Sequence, residues 1–308
     1  MTARPRVLVL LASYNGAPWL RAQIDSILAQ AGVEVDIMVG DDASHDATPD
    51  LLRDAWPGEA RIRFRRWDGS SGSAGANFRR LFRTVDSIGY DFVALADQDD
   101  VWHPDKLARA LEALQRHNAQ GYSAAVEAFW PDGRRKTMAQ CARERGADFL
   151  FEGAGQGCTF VLRQSLFARV RGFCIEHVDA VERLHYHDWM IYLLARAWDA
   201  RWVFDARAAL DYRQHGGNEI GARGSQGAVQ RRLKQIRNGW YGRQIRQAAK
   251  LYRIAHPGDA FIEGAAQLLG RDDGPLRRLG LAGFVIRHGR RRRVDRAVLA
   301  LAALAGWI

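Results

Sequence analysis

The first hundred residues alternate apolar runs with helically spaced segments across short connections, and that alternation restricts the fold more than any other feature. Residues 6–12 (RVLVLLA) are continuously apolar, the pattern of a parallel strand covered on both faces. Residues 17–31 then carry Leu20, Ile24, Ile27 and Leu28 at helical spacing. Further strands are predicted at 33–39, 61–66 and 91–96, with helices at 50–55 and 78–87 between them. This order predicts an α/β chain with a parallel sheet and right-handed crossovers, in which ligands bind beyond the carboxyl ends of the strands. Asn15, Asp41, Asp42 and the DQDD cluster at 97–100 all fall at such ends. The middle is less regular: Trp130-Pro131-Asp132-Gly133 signals a turn, 153–157 is Gly-rich, helical spacing returns at 189–197, and 201–204 (RWVF) reads as a short strand.

With 308 residues, 47% of them apolar, and ten Trp, the chain has ample material for a core, which excludes a disordered protein. The three cysteines (Cys141, Cys158, Cys174) lack metal-ligand spacing and read as unpaired thiols of a reducing compartment. The N-terminal apolar run reads as a strand rather than a leader, and no segment reaches the roughly 18 apolar residues of a membrane span. Charge is unevenly spread. From Arg213 onward there are 19 Lys/Arg against 6 Asp/Glu, and before it 26 against 29, so the net +10 belongs to the C-terminal third.

The acidic cluster poses the chemical question. Asp97, Asp99 and Asp100 lie within four positions at the end of a buried strand, where like charges repel and hydration is lost. A helix cap accounts for one of them, with Pro104 near the first turn and a helix from Lys106. A divalent cation such as Mg²⁺ or Mn²⁺, which prefers carboxylate oxygens and leaves positions for substrate phosphates, accounts for more. Spacing alone leaves both readings open.

Seven segments in order resemble the motif set of inverting family-2 glycosyltransferases with a GT-A fold: ASYNG (12–16), GDDASHDAT (40–48), NFRRLF (77–82), ALADQDDVWHPDKL (94–107), GQGCTF (155–160), HDWMIYLLA (187–195) and YRQHGGN (212–218). The resemblance is greatest to bacterial enzymes of surface-polysaccharide synthesis, including rhamnosyltransferases, and covers residues 5–220. It implies a Rossmann-like, mostly parallel sheet flanked by helices, with a nucleotide-binding half (1–105) and an acceptor half (106–220); beyond it the resemblance fades, and the sequence itself reads as a basic helical region (221–308). It also implies transfer of a sugar, with dTDP-rhamnose as one candidate donor, to a hydroxyl of a glycan or lipid-linked acceptor.

The same resemblance implies roles for individual residues. Ala12 and Tyr14 hold the nucleotide base, Tyr14 by stacking, against a plain reading as a core aromatic. Asp41 and Asp42 accept from the pyrimidine or ribose, and one of them also serves the turn. Ala43 stands where the family commonly has Gly, and His45 where Thr is usual. Asn77 lies near the base or caps the following helix. Asp99 ligates the cation, Asp97 meets the ribose or the metal, and Asp100 caps a helix. Asp188 is the catalytic base, or an N-cap, with His187 and Trp189 on the acceptor side. Gly157 and Cys158 belong to the loop for the donor sugar or acceptor. Arg213 offsets phosphate charge, His215 ligates the metal or donates to the diphosphate, and Gly216 and Gly217 permit a lid.

Two rivals are weighed. A sugar nucleotidyltransferase calls for a Gly-rich phosphate loop after the first strand, and ASYNGAPWL is not one. A basic module binding nucleic acid or membrane leaves the acids at strand ends unexplained, and nucleic-acid motifs are absent. The tail RHGRRRRVDRAVLALAALAGWI joins an Arg run, most simply a solvated face, to a short apolar helix. It suits either packing against a second subunit or a peripheral anchor at an anionic leaflet, the latter predicting a cytoplasmic protein on the inner face of the plasma membrane.

Overall fold

Strand β1 (Arg6–Ser13) is buried along almost its whole length, as its unbroken apolar sequence requires. It pairs in parallel with β2 (Glu34–Asp41) on one side and β4 (Phe92–Asp97) on the other, and β2 pairs with β3 (Ile62–Arg66). The computed structural model describes residues 3–139, 144–215, 226–270 and 274–308. The chain divides into two units that interleave in sequence: residues 1–140, 155–176 and 200–216 form one, and 141–154, 177–199 and 217–308 the other. The boundary read from sequence at 220 therefore differs from the structural division. Two segments of the predicted acceptor half join the C-terminal helices, because their apolar faces pack there.

The first unit is a nine-stranded sheet in the order β3-β2-β1-β4-β8-β6-β9-β5, with β7 on β6. The remaining strands are β5 (Val101–Trp102), β6 (Gly121–Phe129), β7 (Arg135–Met138), β8 (Val161–Arg163) and β9 (Trp202–Arg213). The crossovers run through α1 (Leu20–Leu28), α2 (Thr48–Asp54), α3 (Ala74–Thr84), α4 (Lys106–Arg116) and α5 (Gln164–Glu176). Beyond β4 the sheet becomes mixed: β8 runs antiparallel to β4 and β6, whereas β6 and β9 are parallel. The Trp130–Gly133 turn closes the β6–β7 hairpin, with Trp130 N–H donating to Arg134 O (3.0 Å) and Gly133 at φ 83°. Helix α3 buries Phe78, Leu81 and Phe82, spaced to share one face, and packs on β1 and β2. Its approach is close enough that a Cβ on Gly40 would lie 2.8 Å from Leu81 Cγ. Only glycine fits that position.

The second unit is helical: α6 (Val178–Val181), α7 (His187–Ala197), α8 (Gln226–Arg237), α9 (Trp240–Ala255), α10 (Ala260–Leu268), α11 (Pro275–His288) and α12 (Arg293–Leu304). Residues 144–154 thread into it, with Phe149 stacked on Tyr252 at 4.8 Å. The run at 290–293 is not wholly a solvated face. Arg291 is buried, donating to Asp148 Oδ2 (2.8 Å), and Arg290 Nε donates to Glu152 Oε2 (3.2 Å). No described helix is long and apolar enough to cross a membrane.

Candidate active site

The carboxyl ends of three adjacent parallel strands lie in register, Ala12 opposite Gly40 on one side and Asp97 on the other. Two strand-end turns are held together there. Asn15 and Ala43 both take left-handed backbone conformations, at φ 49° and 60°. That conformation costs a side-chain-bearing residue about 1–2 kcal/mol, which accounts for the glycine common at the Ala43 position in the family resembled. Asn15 N–H donates to Ser44 Oγ (2.8 Å), Gly16 N–H to Thr48 Oγ1 (2.9 Å), and His45 N–H to Asn15 Oδ1 (2.9 Å).

Both aspartates of the second turn are buried and engaged. Asp41 accepts from the Ser44 hydroxyl and lies 3.6 Å from Arg66 Nε. Asp42 accepts from Ser71 N–H (2.8 Å), from the Ser70 and Ser71 hydroxyls (each 2.9 Å) and from Arg80 (3.2 Å), which folds the Gly/Ser-rich loop back onto β2. Asn77 does not cap α3; Ser73 does, accepting from Ala76 N–H. From inside the helix, Asn77 donates to Gly40 O (2.8 Å) and accepts from Trp67 Nε1 (2.8 Å), stapling helix to sheet. The Tyr14 ring is not core: the residue is 45% exposed. Gln98, which sequence reasoning passed over, clamps this backbone. Its Oε1 accepts from Tyr14 N–H (2.8 Å) and its Nε2 donates to Tyr14 O (2.9 Å).

The acidic cluster divides into an outer and an inner part. On the outer side Asp99 Oδ2 is 2.7 Å from His215 Nε2, whose ring stacks on Trp19 at 4.2 Å. Arg213 Nε donates to Asp99 O (3.0 Å), and its guanidinium covers the Phe129 ring. On the inner side Asp97, Asp100 and Cys158 each place a donor atom within 4.8 Å of the others. Asp100 is wholly buried and is not a cap, because α4 begins at Lys106 behind Asp105. Its Oδ1 accepts from Arg213 N–H (3.3 Å), whereas Oδ2 has no partner among the described residues beyond the weak Cys158 thiol beside the carboxyl. Burial, and then the charges of Asp99 and Asp97, push its carboxyl well above the ordinary range.

Lys106 supplies part of the missing positive charge. Its buried Nζ donates to Cys158 O (2.8 Å) and sits 3.0 Å from the Trp102 ring centroid, and burial pulls its ammonium well below its usual range. Cys158 is fully buried and its thiol pushed up by burial, so it is protonated and inert. Gly157 is buried in the same short turn. A protonated thiol beside an ammonium is poor company for a hard cation. On the outer side the Asp99 carboxylate and the His215 imidazole, 2.7 Å apart, offer ligand atoms of the kind a divalent cation of the Mg²⁺ or Mn²⁺ class accepts, while Asp97 stands with the inner group.

In the second unit Asp188 occupies the first turn of α7, behind the Tyr186 N-cap, and its Oδ1 accepts from Trp189 N–H (2.6 Å). The cap reading therefore fails, and the helix dipole favours negative charge at this position. His187 is buried. The Trp189 indole is turned into the core, donating to Phe149 O (2.7 Å) and stacking on Tyr241. A Cβ on Gly153 would lie 3.1 Å from Trp189 N, so a glycine lets the chain pass this helix start. Gly216, Gly217 and Asn218 lie outside the described residues.

A family model described as Glycosyl transferase family 2 matches residues 8–184. The dTDP-rhamnosyl transferase RfbG of Shigella flexneri is 34% identical over 242 residues, covering 78% of this chain and 83% of that protein. Among solved structures, S. aureus TarS in complex with UDP-GlcNAc superposes with a TM-score of 0.57 at 15% identity, over 98% of this chain and 80% of that one. The mannosyltransferase PcManGT from Pyrobaculum calidifontis, in complex with GDP-Man and Mn²⁺, gives 0.53 at 18% identity, over 99% and 87%. At these identities the two structures speak for the fold.

Proposed function

This chain belongs to glycosyl transferase family 2, and from that premise we propose that it moves a sugar from a nucleoside-diphosphate donor to an acceptor hydroxyl with inversion at the anomeric carbon. The first candidate donor is dTDP-rhamnose, which the identity to a dTDP-rhamnosyl transferase supports. The acceptor is a hydroxyl of a glycan or lipid-linked saccharide of the cell surface. The observation that carries the reading is the acidic cluster at the β4 end, where among the described residues one Asp100 oxygen has no partner beyond the weak Cys158 thiol and the outer carboxylate meets His215.

In this reading the exposed Tyr14 ring stacks on the base, on backbone fixed by Gln98. Asp41 and Asp42, saturated by their own turns, shape the pocket through the loops they hold. Asp97, Asp99 and His215 hold the cation. A bound divalent cation offsets charge on the departing diphosphate. Arg213 adds positive charge beside it. Asp188 takes the acceptor proton as the hydroxyl oxygen bonds to the anomeric carbon and the bond from that carbon to the diphosphate oxygen breaks. Inversion needs no covalent intermediate, consistent with an inert Cys158.

The test is transfer from dTDP-rhamnose to a panel of saccharide acceptors, with the anomer assigned by NMR. Inverted product, with kcat reduced about 10²–10⁴-fold in Asp188→Asn, is expected. Retained configuration, or an unimpaired Asp188→Asn, contradicts the assignment.

A further inference from the structure

The most exposed apolar side chains of the second unit are gathered on one helical hairpin. Helices α11 and α12 are joined by residues 289–292, and Gly306 beyond the end of α12 abuts the Arg278 guanidinium near the start of α11. Each helix buries one stripe: Leu281, Ala282 and Val285 on α11, and Leu299, Ala300, Ala302 and Ala303 on α12. Each also leaves a second stripe to solvent. On α11 it runs Leu276, Leu279, Ile286, and on α12 Val294, Val298, Leu301, Leu304, with Leu276 84% and Val294 74% exposed. The spacings of three, four and seven place each set on a single helical face. Residues 297–308 carry no charged side chain.

Positive charge gathers at the connecting end. Residues 275–308 hold eight Arg and one acid, Asp295. Although Arg290 and Arg291 are turned inward onto Glu152 and Asp148, Arg287, Arg292 and Arg293 are exposed. A recess of about 740 Å³ there is lined by Arg145, Arg291, Arg292, Arg293 and Arg296, with Val294 and Asp295. Large apolar side chains exposed together on one face mark an interaction surface. Its charge selects the partner. A symmetric contact with a second copy sets like arginines against one another, whereas an anionic bilayer attracts them and accepts the apolar stripes at its acyl boundary.

We infer that the α11–α12 hairpin is the surface by which this protein lies on an anionic membrane, with the exposed arginines at lipid phosphates and the Leu/Val stripes dipping between headgroups. The inference is independent of the proposed reaction.

The test is flotation of the full chain with phosphatidylcholine vesicles, with and without phosphatidylglycerol. Salt-sensitive binding to the anionic vesicles is expected. Arg287→Gln with Arg293→Gln lowers the partition coefficient by about thirtyfold, at roughly fivefold per basic residue. Leu279→Ser with Leu301→Ser weakens it at least about tenfold at low salt, and neither exposed pair moves the melting temperature. Absence of binding to anionic vesicles, binding indifferent to the Leu pair, or a dimer dispersed by that pair without vesicle binding overturns the inference.

Discussion

Each unit buries a group of acids, and the two groups are treated oppositely. In the helical unit Asp148 accepts from Arg196 (2.9 Å), Arg291 (2.8 Å), Tyr192 OH (3.0 Å) and Phe149 N–H (3.0 Å). In the sheet unit Asp100 has, among the described residues, an oxygen with no partner beyond the weak Cys158 thiol, two charged neighbours and a carboxyl pushed upward. A buried acid surrounded by donors is part of the scaffold, removable only at the expense of the fold. Acids buried beside one another with too little positive charge persist where a bound ligand completes them. The difference separates architecture from chemistry without reference to any relative.

Four changes probe that contrast, in descending size. Asp148→Ala strands the buried Arg291 and the half-buried Arg196 guanidinium groups and should cost about 3–5 kcal/mol, read by chemical denaturation; a loss below about 1 kcal/mol removes the scaffold half of the comparison. Asp99→Asn should lower activity by about 10²–10³-fold while leaving stability nearly unchanged, read by pairing kinetics with a melt. Asn77→Ala leaves Gly40 O and Trp67 Nε1 without their buried partner and should cost about 1–3 kcal/mol, with nucleotide affinity falling as β1 and β2 loosen.

The smallest change is in pH dependence, and the two kinds of acid should differ in sign. Asp205 is raised by burial but more than returned by hydrogen bonds from Arg207 and Tyr122, to about 2. Its contribution is present above the ordinary carboxylate range and is lost as pH falls toward 2, so Asp205→Asn should flatten the acid limb of stability. Asp100 is raised, so its contribution is full below the ordinary range and is lost as pH climbs through its elevated value. Asp100→Asn should therefore stabilise the ligand-free protein at neutral pH and do little in acid. Denaturation midpoints across pH distinguish the two.

The sheet up to β4 was legible because β1 and β4 are continuous apolar runs ending in polar turns and β3 alternates, signals that need only neighbours in sequence. Strand β6 (GYSAAVEAF) was not, since small residues carry no strand preference, and β9 extends to Arg213 through an Asp- and Arg-rich stretch that reads as loop. The acids at strand ends were visible in kind but not in use. Nothing local tells that Ser44 and Ser71 saturate Asp41 and Asp42, or that Asp100 faces Cys158 rather than a helix end. The pairing of Asp148 with Arg291 spans 143 positions, so the Arg run looked like a solvated face, and the interleaving of the two units stayed hidden with it.

The most direct test of the central claim is calorimetric titration of dTDP, with UDP, GDP and CDP as controls, in Mn²⁺ and in chelator, on the native chain and on Asp99→Asn. Metal-dependent binding of one nucleotide, lost in the variant, is the predicted result. Binding indifferent to metal and to Asp99, or no nucleotide bound by the folded protein, contradicts the claim that the under-compensated cluster is the donor site.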